Sequence, residues 1–474
     1  MPQIDEHRSA EMGRGSIWKL LFRFSGPAII SMTVASTYNM VDRMWVGRIP
    51  GEEGLQSLAA LGYAFPIMIA FMSILLGTGV GAASLISRRL GAGNRNGANR
   101  AAAMTITLSL ILGILMTAIV LPNLDGILRL IGANDETLYD AAVLQQAKNY
   151  MSILTIFAFV NAFSLTIGSI IRAEGSPTFP SVVMIISALT NIALDPILIH
   201  GLNMGVSGAA YATVIARSLA AVIFIYYFVS RKSSFRFRLK NFLLHFGILK
   251  EIYKVGLASI VRMAAFAFVT ILANRIATDL SAGGAGYVAV LSIMFSISSF
   301  AFMPTMGLGQ GVLPLVGYNH GAGLTKRVGG VVSKASTIAL GWGVMCTLIA
   351  LLIPKQLMSI FNSDPAFLEN GTTAMRIFAI SFFTVGLQNV LSAFFQGMGR
   401  GIASLILASA RQIIFLIPAI LILPDIFQET GLWASFPVAD LCAITLTLVW
   451  TIIAFKRMGI RFRLRYPNRN TQNP

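Results

Sequence analysis

The chain has 474 residues, 55% of them hydrophobic and only 12% charged, and its mean hydropathy is +0.74. A soluble protein of this length would carry roughly a quarter charged residues, so the composition excludes an ordinary globular enzyme and marks an integral membrane protein whose first partner is the lipid bilayer. The net charge of +17 does not imply nucleic acid, because the basic residues sit in alternate short loops.

Apolar runs predict twelve spanning helices in chain order: Ile17–Val46, Leu58–Ser84, Ala101–Leu121, Val143–Ile171, Phe179–Ile199, Val206–Val229, Leu249–Ala277, Tyr287–Leu313, Gly329–Ile353, Met375–Phe395, Ile402–Leu423 and Leu432–Phe455. The first, fourth and seventh are long enough to tilt or to project from the membrane. Met1 to Gly15 is polar, and the first apolar run is too long for the core of a signal peptide. Arg88, Arg89, Arg95 and Arg100 occupy one loop. Arg231, Lys232, Arg236, Arg238 and Lys240 occupy the central linker, Lys326 and Arg327 the matching loop of the second half. Lys456, Arg457, Arg461, Arg463 and Arg465 lie in the tail. The intervening loops are mixed or acidic: Glu52 and Glu53, then Asp135, Glu136 and Asp140, then Asp364 and Glu369, then Asp425 and Glu429. By the positive-inside rule both termini are expected in the cytoplasm, with the chain in the cell membrane.

The sequence also repeats. Gly77, Gly79, Gly81, Gly91 and Gly93 match Gly307, Gly309, Gly311, Gly321 and Gly323 in one register. Glu174-Gly175 matches Met398-Gly399, and Gly208 matches Gly431. Two six-helix halves of the same polarity follow. The expected divisions are a cytoplasmic segment 1–16, an N-lobe 17–229, a basic linker 230–246, a C-lobe 247–456 and a basic tail 457–474. Parallel halves are a common transporter plan with substrate between them. The glycines themselves read first as close packing.

Within the spans, ionisable groups are costly, on the order of 3 kcal/mol each, and read as functional by default. Asp195 lies in the fifth span beside Pro196, whose missing donor and bulky ring predict a kink, and Asn191 precedes it by one turn. Asp42 lies in the first span at a similar depth. Two carboxylates sharing a dry site cannot both ionise cheaply, the property a proton carrier needs. Tyr38, Asn39, Asn161, Asn191 and Thr213 are neighbours able to ligate or relay. Asp42 could instead pair locally with Arg43. In the second half Asp440 is the acid well inside a span. Arg411 of the preceding helix is its expected partner in a structural ion pair, and Arg262 has no assigned partner. Met263 and Met294, with nearby phenylalanines, suit a soft and adaptable substrate cleft. Cys346 and Cys442 both fall in apolar segments, too few for a disulfide framework. The histidines His7, His200, His245 and His320 are dispersed, so no metal cluster is expected. No Walker motif is present, and neither catalytic machinery nor an organic cofactor is expected.

Taken together the chain resembles the multidrug and toxic compound extrusion (MATE) family from Ile17 to Phe455. The resemblance rests on Asp42-Arg43-Met44-Trp45-Val46-Gly47, Arg88-Arg89-Leu90-Gly91-Ala92-Gly93, Arg172-Ala173-Glu174-Gly175 and Asn191-Ile192-Ala193-Leu194-Asp195-Pro196. It rests also on the segments Gly205 to Thr213 and Gly317 to Ala322. It implies an all-α membrane protein of two pseudo-symmetric six-helix lobes forming a V-shaped cleft. It further implies a monomeric antiporter that exports small organic cations and other xenobiotics by alternating access, driven by inward H⁺ or Na⁺. By position Asp42, Asn191, Asp195, Tyr150 and Thr213 look like the N-lobe cation site, with Na⁺ a candidate at Asp42, Asn191 and Asp195. The family's fourth-helix asparagine falls near Ser164 or Leu165, one turn from Asn161, a departure from the pattern. The alternative is a flippase of related fold for a lipid-linked precursor.

Overall fold

The computed structural model describes residues 10–131, 138–230, 232–280, 285–361 and 365–460. Asp135, Glu136, Asp364, Arg231, His7, Arg461, Arg463 and Arg465 lie outside the described residues, as do the side chains of Asn39 and Asp140. Among the described residues nine helical runs are long and apolar enough to cross a membrane and two bent pairs form further spans; the longest run, Gly401–Arg457, breaks at Gln428, which brings the spans to twelve. In chain order these are α1 (Ile17–Gly47), α2 (Glu52–Gly91), α3 (Arg95–Val120), α4 (Leu138–Ile156 with Ala158–Ala173), α5 (Thr178–Pro196) and α6 (Gly205–Val229). The second half holds α7 (Phe246–Leu280), α8 (Ala285–Gly321), α9 (Thr325–Leu352), α10 (Pro365–Ala379 with Phe382–Gly397), α11 (residues 401–427) and α12 (residues 429–457).

Three features depart from the sequence reading. Spans α4 and α10, expected to be continuous, bend by 56° and 43°. Neither bend follows from a proline. A Cβ on Gly113 of α3 would lie 2.2 Å from the Phe159 Cα, and one on Gly343 of α9 would lie 2.6 Å from the Phe383 Cα. A matched glycine in the preceding span thus admits the backbone just beyond each bend. Second, α2 and α8 run well past their apolar segments, and both stop at a glycine turn at the basic end. Gly93 and Gly323 take φ of 73° and 72°, a left-handed geometry a side chain rarely adopts. Their next amides close the same bond, Asn94 to the Arg89 carbonyl and Leu324 to the Asn319 carbonyl, each 2.8 Å. Third, a π-helical turn, Ile197–Gly201, continues α5 beyond Pro196. The kink expected beside Asp195 therefore takes the form of a widened turn.

Each half forms its own lobe, with α1 on α5 and α4 on α3 and α6 in the first, and α10 on α8, α9 and α12 in the second. The lobes meet through α1, α2, α7 and α8. Their contact is backbone on backbone at the glycines of the repeat. A Cβ at Gly91 would sit 2.0 Å from the Tyr318 carbonyl oxygen, and one at Gly321 would sit 2.0 Å from that of Arg88. This reciprocity marks the pseudo-twofold axis. Gly81 and Gly256 make similar approaches to Ile252 and Gly77, and Gly311 to Ser25. At the same end the Arg327 guanidinium donates to the Gly15 carbonyl at 2.6 Å, and Arg89 pairs with Glu251 at 3.2 Å. The molecule is thus sealed at its basic end.

An added side chain at the axis should pry that seal open. With Gly321→Val, spin labels at Asn96 and Lys326, in a background lacking Cys346 and Cys442, should move apart. The added Cβ must retreat from 2.0 Å to an ordinary contact beyond 3.4 Å. A distance distribution matching the parent's would contradict the seal.

Candidate functional site

The acids meet in the N-lobe. At the end remote from the basic loops, α1 is tied to the turn after α5, where His200 Nε2 lies 3.2 Å from the Trp45 carbonyl and the two rings meet edge to face. Asp42, one turn before Trp45, lies within electrostatic reach of Asp195. Asp195 is fully buried. Its Oδ1 accepts from Asn191 Nδ2 at 3.3 Å, and the same amide reaches Thr213 Oγ1 at 3.5 Å. Tyr150, also buried, stands within electrostatic reach of Asp42, Tyr38 and Asp195. Asp42, Asn191, Asp195, Tyr150 and Thr213 are therefore gathered from α1, α4, α5 and α6.

This cluster is rich in acceptors and short of donors. Asp42 Oδ1, Asp195 Oδ2 and Asn191 Oδ1 are buried without a hydrogen-bond partner, and so is Asn161 Oδ1 farther along α4. Buried acceptors are normally satisfied, and leaving one bare costs on the order of 2 kcal/mol. Three orphaned oxygens in one cluster suit a proton or a hard cation, since oxygen ligands are what Na⁺-like ions take. Arg43 lies close enough for its charge to act on Asp42. Among the described residues no ion pair joins it to Asp42, and its guanidinium instead lies 5.4 Å from the centre of the Phe65 ring. The local salt bridge weighed from sequence is absent for that reason.

Below the acids a small cavity is lined by Tyr38, Met184, Ser187, Asn191, Thr213 and Arg217. Arg217 Nη2 donates to the Tyr38 hydroxyl at 3.1 Å, so an arginine of α6 holds Tyr38 on the cavity wall. No hydrogen bond among the described residues links Asn161 to the acids. In the C-lobe Arg411 and Asp440 form an ion pair, and Ser381 Oγ adds a 2.7 Å bond to Asp440 Oδ2. Met263 is partly exposed, whereas Met294 is fully buried in the C-lobe core. Met294 therefore packs and does not line a cleft: it shares a buried cluster with Met375, Phe378 and Phe436.

Twelve spans in two lobes, sealed at one end and carrying two carboxylates with unpartnered oxygens near the other, define a multi-pass membrane transporter. The model of the MatE family matches residues 27–197 and 258–421, and the chain belongs to that family. It is 27% identical over 451 residues to the multidrug export protein MepA of Staphylococcus haemolyticus (strain JCSC1435), covering 95% of this chain and 94% of that protein. Among solved structures, an outward-facing multidrug resistance MATE family transporter of the MOP superfamily superposes with a TM-score of 0.88 at 27% identity, covering 95% of this chain and 99% of that one. A MOP superfamily transporter from Pyrococcus furiosus Vc1 (DSM3638), described as having a binding pocket of reverse polarity, gives 0.87 at 28% identity, over 96% and 99% of the two chains.

One buried acid entered the sequence reading only as part of the repeat and of the family motif. Glu174, between α4 and α5 at the basic end, is 3% exposed and clasps the linker. Tyr227 donates to its Oε1, while the Ser233 hydroxyl, at 2.7 Å, and the Ser234 hydroxyl and amide, at 3.1 and 3.2 Å, donate to Oε2. An acid standing alone among basic loops was the signal. Burial outweighs the four donors and pushes its carboxyl from 4.5 up to about 7. The folded chain then holds the proton more tightly than the unfolded one. This contribution is fully present below the unfolded value and is lost as pH rises through about 7, a loss of at most about 3 kcal/mol. Thermal unfolding in detergent should therefore occur at falling temperature from about pH 5 to pH 8. Glu174→Gln should flatten that slope, and an identical slope in the variant would refute the assignment.

Proposed function

We propose that this chain is a secondary transporter that exports amphiphilic organic cations across the cell membrane in exchange for inward H⁺ or Na⁺, with both termini in the cytoplasm. The observation that carries this reading is the set of orphaned oxygens on Asp42, Asp195 and Asn191. It offers one negatively charged, acceptor-rich place for which a small ion and a cationic cargo compete. The orientation is supported by the seal at the basic end, where the positive-inside rule sets the cytoplasm. On this reading the described form is closed to the cytoplasm and open outward.

The chemistry needed from the protein is modest. Loading an ion removes net negative charge from the N-lobe and so changes the cost of leaving it dry. The widened turn after Pro196 gives α5 a place to bend when that charge changes. Ion and cargo are then coupled by their differential affinity for two conformations, which is the thermodynamic requirement for exchange. Multidrug export by the MepA relative supports this cargo class. A lipid-linked precursor, the other reading, is anionic and fits the N-lobe acceptors poorly.

The test is ethidium efflux from proteoliposomes under imposed pH and Na⁺ gradients. Asp42→Asn and Asp195→Asn keep the side-chain shape and lose the titration, so each should lower gradient-driven efflux at least about tenfold while the protein still folds. Asn191→Ala should weaken the response to Na⁺ if Na⁺ is the ion used. Wild-type rates in Asp42→Asn protein would refute coupling at this pair.

A further inference from the structure

We propose that the linker joining the two lobes is a lipid-binding element: it lies in the leaflet at the basic end, with its apolar side chains among the acyl chains and its cations on the phosphates of acidic phospholipids. The linker runs from the end of α6 at Val229 to the start of α7 at Phe246. Between Ser230 and Lys250 the sequence carries no aspartate or glutamate. The linker's first half is extended, with Arg238 at φ −115° and ψ 147°, so its side chains alternate between two faces. Phe235 is buried and Phe237 half-buried. The Phe237 ring meets those of Phe228 in α6, Phe235 and Phe242 at 5.4, 6.1 and 5.6 Å, which fixes the inward face to the N-lobe. Arg236 and Arg238 alternate with these rings and are exposed.

The second half turns apolar groups outward. A 3₁₀ turn, Leu239–Phe242, leads into α7. Leu239 is 92% exposed, Leu243 66%, Leu244 55% and Phe246 86%. Four large apolar side chains in so short a stretch form a patch of the kind that marks a contact with something outside the chain.

The depth of the turn identifies that partner. Thr107 Oγ1 of α3 donates to the Phe242 carbonyl at 3.0 Å. Arg100 is the last cation of α3 and is exposed, and the apolar run follows it. Thr107 lies beyond Arg100 by two helical turns, about 10 Å along the axis. The patch is therefore level with apolar span, at the depth of about 5–10 Å where an interfacial segment buries its apolar face. A soluble protein does not reach that level, whereas acyl chains fill it. Arg238 and Lys240 flank Leu239 and are exposed, and their long stems return the charge to the headgroups. Glu174 is buried under the linker, gripping Ser233 and Ser234, so the outward charge is positive and the matching headgroup is anionic. The covalent joint between the lobes is thereby held in the bilayer, and any relative movement of the lobes carries it against those lipids.

A bimane fluorophore on Leu243→Cys, in full-length protein lacking Cys346 and Cys442, tests both the depth and the lipid. The vesicles hold phosphatidylcholine and phosphatidylglycerol in equal parts, and acyl chains carrying bromine quench a fluorophore that lies among them. With both lipids brominated, quenching at 243 should exceed that at Asn96→Cys, on the exposed start of α3, at least about threefold. Equal quenching at the two positions would place the linker in water and overturn the proposal. With one lipid brominated at a time, phosphatidylglycerol should quench position 243 at least about twofold more than phosphatidylcholine. No difference between the lipids would overturn the acidic-lipid assignment. Arg238→Gln combined with Lys240→Gln should remove that difference and leave the quenching itself, and a preference kept in full would overturn the role of these cations. Both ratios are read in protein that retains Arg238 and Lys240, so they decide the proposal even where the double variant does not fold.

Discussion

The architecture depends on how closely two backbones approach where α2 crosses α8. Gly91 and Gly321 each face a carbonyl oxygen of the other helix at a separation that leaves no room for a Cβ. Everything at the basic end follows from that crossing. The repeat glycines bring α7 against α2 and α1 against α8, and the linker is pinned to the N-lobe by Glu174. With the lobes joined there, separation is available to them only toward the far end, where α1 and the turn after α5 hold the acid pair. On the exporter reading proposed above, opening the seal and closing the far end would be the second state, since packed interfaces of this kind are bistable.

The two lobes are alike in backbone and opposite in chemistry. By the offsets of the repeat, 224 residues from Glu174-Gly175 to Met398-Gly399 and 223 from Gly208 to Gly431, Ser187 corresponds to Arg411 and Arg217 to Asp440. In the N-lobe Ser187 makes an uncharged bond to the Ala216 carbonyl at 2.9 Å, and Arg217 is spent on Tyr38. In the C-lobe the same two positions are a guanidinium and a carboxylate joined as an ion pair. The duplicated scaffold therefore carries an ion pair in one lobe where the other has a serine and an arginine bonded to neutral partners.

Much of this was legible in the sequence because it depends on local composition. Apolar run length set the spans, and the common register of glycines set the two halves. Burial cost singled out Asp42, Asp195 and the Arg411–Asp440 pair. What was not legible depends on which face meets which neighbour. The bends of α4 and α10 have no proline to announce them and arise where Gly113 and Gly343 admit a neighbouring backbone. Arg43 lies over Phe65 and makes no ion pair with Asp42, a choice between two adjacent partners that sequence order cannot make. Met294 and Met263 look equivalent in a list of residues, and only the packing of the C-lobe buries one and leaves the other partly exposed.

The central claim is that one acceptor-rich cluster serves both ion and cargo. Its most direct measurement is the equilibrium affinity of the purified protein for ethidium while H⁺ and Na⁺ are titrated in turn. The account predicts that one of the two ions weakens ethidium binding by about tenfold, within the usual range of coupling between sites, and that Asp195→Asn abolishes the effect. Ethidium affinity that is the same at every H⁺ and Na⁺ concentration in the wild-type protein would contradict it.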